Sequence, residues 1–114
     1  MGKNFQERRK YARIPLVSVV KLRFDQEQPE PALLVDISAG GAKIMSQRPL
    51  SVGEEVEMSL SLYENKTIFV DGKIVWTRDM DLMKEYKFGV EYMGGIQFNK
   101  ENREIDDYVK KYSM

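Results

Sequence analysis

Two short stretches hold the side chains best suited to chemistry. The first, "RRKYAR" at residues 8–13, sets Arg8, Arg9, Lys10 and Arg13 close together. A guanidinium can make two parallel hydrogen bonds to a phosphate or to the O6/N7 edge of guanine, and its flat face stacks on a base. In an extended chain Arg9 and Arg13 fall on one side, so both can reach a single anion. The second stretch, "DISAGG" at residues 36–41, ends an alternating run with two glycines. The Asp36 carboxylate can accept from the N1–H and N2–H2 edge of guanine, and the Ser38 hydroxyl can serve a phosphate or a base. Gly40 and Gly41 are expected to supply positive φ in a tight turn and to open backbone N–H groups to a ligand. Each stretch also has a plainer reading, as a basic leader that aids solubility and as an ordinary hairpin turn.

The charge balance makes any anion site a local one. Eighteen basic and eighteen acidic residues cancel over 114 residues, yet residues 1–13 hold five cations against Glu7, a net of +4. A generic polyanion binder is therefore not expected. The chain has no histidine and no cysteine, which removes the commonest general base, thiolate metal sites and disulfides. Asp79 and Asp81 lack the spacing of a calcium loop. With no acid–base constellation, neither an enzyme nor a cofactor or metal is expected. The polar start "MGKNFQERRK" is no secretory signal, and Gln6 stands where a myristoylation motif needs Ser or Thr. No window approaches the roughly 18 apolar residues of a membrane span. A cytoplasmic single domain without membrane contact is the expectation.

The elements that must position these residues read mostly with period two. Val20, Leu22 and Phe24 are expected inward, as are Leu33, Val35 and Ile37, which throws Asp36 and Ser38 onto the wet face. Ala42 and Ile44 follow, then Val56, Met58, Leu60 and Leu62, then Ile68, Val70, Ile74 and Trp76 around Gly72, read as a bulge or close approach. Phe88, Val90 and Tyr92 close the series within "YKFGVEYM". Trp76, Phe88, Tyr92 and the methionines read as packing residues. Glu54, Glu55 and Glu57 read as a charged strand edge. Pro15 bars a helix and leads into the first strand. Six short strands imply a mainly β protein, a small antiparallel barrel or rolled sheet. The end changes period: Ile105, Tyr108, Val109 and Tyr112 form one helical stripe, with Asn99 as N-cap and the pairs Asp106–Lys110 and Asp107–Lys111.

"RKYAR" and "DISAGG", in this order and separated by a strand, resemble the RxxxR and D/NxSxxG motifs of PilZ domains. Arg9, Arg13, Asp36, Ser38 and Gly41 stand on the motif positions, and "GKIVWTR" with "YKFGVEYM" resembles the family's later strands. The resemblance spans nearly the whole chain. It implies a six-stranded antiparallel PilZ-type β-barrel with a C-terminal α-helix, divided as a mobile basic leader (1–14), the barrel (15–98) and the helix (99–114). It further implies a receptor for the bacterial second messenger cyclic di-GMP. Arg9 and Arg13 would take guanine edges and phosphates, Asp36 and Ser38 would bond the ligand from the barrel, and Gly41 would keep the turn. Arg8 stands where the family sets ligand stoichiometry, and Lys10, Gly40 and Trp76 are secondary candidates. A free-standing domain of this kind would pass its signal to an effector protein, with a homodimer open. Two other readings stand beside it: a small barrel for single-stranded nucleic acid, and a protein–protein adaptor that has lost the ligand.

Overall fold

Alternating apolar and polar residues build six strands: β1 (Arg13–Phe24), β2 (Glu30–Ser38), β3 (Gly41–Ser46), β4 (Glu55–Tyr63), β5 (Lys66–Asp79) and β6 (Tyr92–Phe98). One helix, α1 (Arg103–Tyr112), follows them. The computed structural model describes residues 12–63, 65–79 and 92–112. Every strand pairing is antiparallel, and the order β1-β2-β3-β6-β5-β4 closes into a barrel where Lys21–Phe24 of β1 meets Val56–Ser59 of β4. The expected mainly β barrel with a terminal helix is the observed fold.

Inward side chains fill the barrel. Leu22, Leu34, Ile37, Ile44, Met58 and Ile74 are all buried, and Val20, Phe24, Leu60, Val70 and Ile96 surround them. Closure also changes the reading of the acidic residues. β4 is paired on both sides, with β1 and with β5, so Glu55 and Glu57 guard no free edge. Glu54 instead accepts from Arg48 at 2.9 Å. The Arg48 guanidinium also lies within 3.4 Å of Glu27 and 3.7 Å of Glu30, and 3.9 Å from the Phe24 ring centroid. One side chain thereby ties the β1–β2 turn to the β3–β4 loop.

Helix α1 plugs one mouth of the barrel. Ile105 and Val109 are fully buried, Tyr108 packs partly against the core, and Tyr112 stays exposed. The cap is Asn102 rather than Asn99: its Oδ1 accepts from the Ile105 N–H at 2.9 Å, three residues on, as an N-cap does. Asp106 and Lys110 form the expected pair at 3.0 Å. The Tyr108 ring meets Tyr63 edge-on, with centroids 5.5 Å apart, and Glu104 accepts from Lys66. That bond holds the Lys66 ammonium above the usual lysine range. Among the described residues no helix is long and apolar enough to cross a membrane.

Candidate functional site

Two β-bulges set the outer wall beside the β2–β3 turn. Leu34 pairs with Ile44 and Asp36 with Lys43, leaving Val35 as an extra residue in β2. Before this bulge Ala32 and Leu34 point inward; after it Ile37 does. The simple alternation therefore fails for Leu33 and Val35, which are only partly buried, while it holds for Ile37 and Asp36. In β5 the extra residue is Val75, since Ile74 pairs with Ile96 and Trp76 with Gly95. In a regular strand with Val75 paired, Trp76 would follow Ile74 into the core. With Val75 bulged the indole lies outside, 38% exposed, which corrects its reading as a packing residue. A bulge adds one residue and so reverses the face of all that follows.

The two reversals put Asp36 and Trp76 on one lateral row. Asp36 is opposite Lys43, Lys43 opposite Gly95, and Gly95 opposite Trp76. A Cβ on Gly95 would lie 2.6 Å from the Trp76 Cε2 and 2.7 Å from Cδ1, so the indole lies flat on bare backbone. At the other end of the row the Arg13 Nη1 donates to the Asp36 Oδ1 at 2.5 Å. The Lys43 Nζ stands 3.7 Å from the Asp36 Oδ2. Asp36 is mostly covered, its side chain 16% exposed, whereas Arg13 is half exposed. The carboxylate thus pins one guanidinium nitrogen and leaves the other donors of Arg13 facing solvent. Two cations against one acid give this row a net positive field.

Ser38 lies elsewhere than the alternation suggests. It is 2% exposed, and its Oγ accepts from the Gly40 and Gly41 N–H groups at 3.3 and 3.2 Å. It also donates to the Gly41 carbonyl at 3.3 Å. The hydroxyl therefore closes the β2–β3 turn from inside. Neither Gly40 nor Gly41 has positive φ; among the described glycines only Gly53 does. Gly41 is needed for proximity instead, since a Cβ there would stand 2.5 Å from the Ile96 carbonyl oxygen. The turn is fastened twice more, by the Phe98 N–H to the Gly40 carbonyl and by the Asn102 N–H to the Ala39 carbonyl.

Of the residues read as a site, Arg13 and Asp36 are in contact, Trp76 shares their wall, and Ser38, Gly40 and Gly41 shape the turn beside them. Arg8, Arg9 and Lys10 lie outside the described residues, as do Phe88 and Val90. Lys43 and Gly95 were not picked out by the sequence. Lys43 could have been, because Ala42 and Ile44 flanking it are inward. Away from this row a concavity of about 330 Å3 is lined by Arg23, Asp25, Glu55, Glu57 and Asp71. Four carboxylates against one guanidinium make it a poor anion site. No three potential metal ligands cluster among the described residues.

Solved structures share this architecture. The Bacillus subtilis inhibitor of motility, MotI/DgrA, superposes with a TM-score of 0.73 at 15% identity over 92% of this chain and 51% of its own. PlzA of Borreliella burgdorferi, in complex with c-di-GMP, gives 0.66 at 20% identity over 96% of this chain and 43% of its own. K. pneumonia MrkH, also in complex with c-di-GMP, gives 0.63 at 20% identity over 90% and 49%. The chain thus spans about half the length of these proteins. No curated protein matches it. The family model for the PilZ domain matches residues 7–111, so both arginine positions, the barrel and all but the last residue of the helix fall within the match. The chain belongs to the PilZ domain family.

Proposed function

We propose that this domain is a receptor for cyclic di-GMP, bound on the wall that runs from Arg13 to Trp76. One observation carries the reading. Arg13 and Asp36, 23 residues apart and drawn from the two separate motifs, meet at 2.5 Å on the wall that also holds the exposed indole. PlzA and MrkH, which share the fold, are each in complex with this nucleotide. The ligand carries two phosphate charges and two guanines, so a few well-placed cations suit it better than a wholly basic protein.

In this reading the free donors of Arg13 take a phosphate or a guanine edge, and Arg9 joins it from the N-terminal segment. Asp36 holds Arg13 in place and offers its remaining acceptor capacity to guanine. Lys43 adds charge, and Trp76 gives a flat face for stacking, worth about 1–3 kcal/mol per base. Ser38, Gly40 and Gly41 act by holding the turn from which Asp36 projects. The role is binding rather than catalysis, in the cytoplasm, with ordering of the N-terminal segment over the ligand as the signal to an effector protein. Raised amide protection of residues 5–14 on saturation is the expected mark of that ordering.

Calorimetric titration with cyclic di-GMP, cyclic di-AMP and GTP tests the reading. Saturable binding of cyclic di-GMP alone is expected, and its stoichiometry reports whether one nucleotide or a stacked pair binds. No heat and no competition, with a folded protein, would overturn it in favour of the ligand-free adaptor.

A further inference from the structure

Beside the indole of Trp76 stands a cation that the packing of the barrel does not explain. Arg78 is exposed and lies opposite Met93 of β6, just as Trp76 lies opposite Gly95. Met93 and Gly95 face outward. Between them Gly94 faces the core, where a Cβ would stand 2.7 Å from Leu50 Cδ1, and Ile96 beyond them is buried. Residues directly opposite one another on paired strands share a face. Arg78 and Trp76 therefore rise from the same side of β5, two residues or about 7 Å apart.

The other two arginines on the strands are engaged, Arg13 with Asp36 and Arg23 with Glu57 at 3.6 Å. Arg78 has no carboxylate partner among the described residues. Its lateral neighbours on this face are Met93 and then Met45, both apolar. Asp79 follows it in sequence but belongs to the other face, opposite Tyr92. Lys43, on the far side of Gly95, has its Nζ drawn toward β2, 3.7 Å from the Asp36 Oδ2. Arg78 is thus the free cation on the Trp76 side of the row.

The lie of the indole decides what that cation can meet. Because the ring lies flat over Gly95, a base stacked on it is parallel to the wall. A side chain rising from the wall beside such a base reaches its edge rather than its face. Guanine presents O6 and N7 there, two acceptors that match the forked donors of a guanidinium, whereas adenine sets an N6–H2 donor in place of O6. Stacking by itself accepts any base.

Resting on the receptor reading, we propose that Arg78 reads the guanine stacked on Trp76, through hydrogen bonds to O6 and N7, and makes that end of the row selective for guanine.

The test is calorimetry on the parent chain, Arg78→Ala and Arg78→Lys, each titrated with cyclic di-GMP and with its 7-deazaguanine analogue, in which a C–H replaces N7. Arg78→Ala should weaken cyclic di-GMP by about tenfold or more, and the analogue by about threefold or less. The preference for N7 thus shrinks when Arg78 is lost, which is coupling between one side chain and one ligand atom. Any contribution of Arg13 to that preference is common to all three chains and cancels. Arg78→Lys keeps the charge, loses the fork, and should show the same shrinkage. Equal losses for the two ligands would make Arg78 a phosphate contact and overturn the proposal, as would unchanged affinity in Arg78→Ala. A lowered melting temperature in the variants would assign Arg78 to the fold and overturn it too. If the parent binds and Arg78→Ala binds as well, this inference alone fails. If the folded parent binds neither ligand, the receptor reading fails and takes this inference with it.

Discussion

The two walls of this barrel are made from the same kind of strand and obey different rules. Along β4 alternation holds from Glu55 to Ser61: Val56, Met58 and Leu60 are buried, and Glu55, Glu57, Ser59 and Ser61 face out, with the exposed Phe69 of β5 beside them. On the wall of β1, β2, β3, β6 and the second half of β5 the register is broken by bulges, the outward residues include valine, leucine and methionine, and a tryptophan lies on the surface. The acidic and serine face of β4 satisfies only water. On the other wall the bulges at Val35 and Val75 flank the nucleotide row, since a bulge is how a strand re-aims one side chain while its neighbours stay in the core.

A charge on the inward face should have the largest effect. Ile37→Asp, at the first inward position after the bulge, puts an unpaired carboxylate in the core, at a cost of about 3–5 kcal/mol. Chemical denaturation should show that loss, whereas Ser59→Ala on β4 should stay within about 0.5 kcal/mol. An Ile37→Asp variant as stable as the parent would mean that β2 after its bulge does not turn Ile37 to the core and Asp36 to the surface.

Next in size is the loss of binding from Arg13→Ala, about 1–3 kcal/mol, or tenfold to more than a hundredfold in Kd. Lys73→Ala, on β5 away from the row, should leave the nucleotide's affinity unchanged. Calorimetry on both variants separates a specific clamp from general attraction, because equal losses would make the field of the whole protein responsible.

Gly95→Ala sharpens the comparison within one strand pair. The new methyl must lift the indole of Trp76, a flexible side chain, so the cost in stability should be about 1 kcal/mol, at the low end for overpacking. Gly41→Ala should cost more, because there the methyl meets a backbone carbonyl at 2.5 Å. Thermal unfolding of the two variants gives the order directly.

The smallest effect belongs to the helix. The Lys66 pKa is raised by its hydrogen bond and attraction to Glu104, so the folded state holds that proton more tightly than the unfolded chain. The contribution is fully present below the unfolded lysine pKa, near 10.4, and is lost as pH rises through the raised value. Lys66→Met should flatten the slope of stability against pH above about 10. An unchanged slope would mean that the pair is inert.

Much of this was legible in the residues. The inward sets of β1, β3 and β4 follow from alternation alone, as does the helical stripe from Ile105 to Val109. The motif residues Arg13 and Asp36 could be picked out from their chemistry and their resemblance to a family. What could not be read was the phase of β2 and β5, because a bulge changes the face of later residues without changing their composition. Leu33, Val35 and Trp76 were misplaced for that reason. β6 was hidden by Gly94 and Gly95, which look like a break and are instead the clearance for Leu50 and Trp76. Ser38 was misjudged because burial of its hydroxyl depends on the turn folding back to bond it. That contact is invisible to strand periodicity. Asn102 replaced Asn99 as cap because a helix boundary is set by the tertiary seat of Ile105.

The central claim is that the nucleotide sits on the row from Arg13 to Trp76. Trp76 is the single tryptophan of the chain, so its emission reports that row and nothing else. Titration with cyclic di-GMP should change the emission saturably, with the same Kd as calorimetry, and Arg13→Ala should shift that curve at least tenfold to higher concentration. Calorimetric binding with unchanged Trp76 emission would place the nucleotide elsewhere on the barrel and contradict the account.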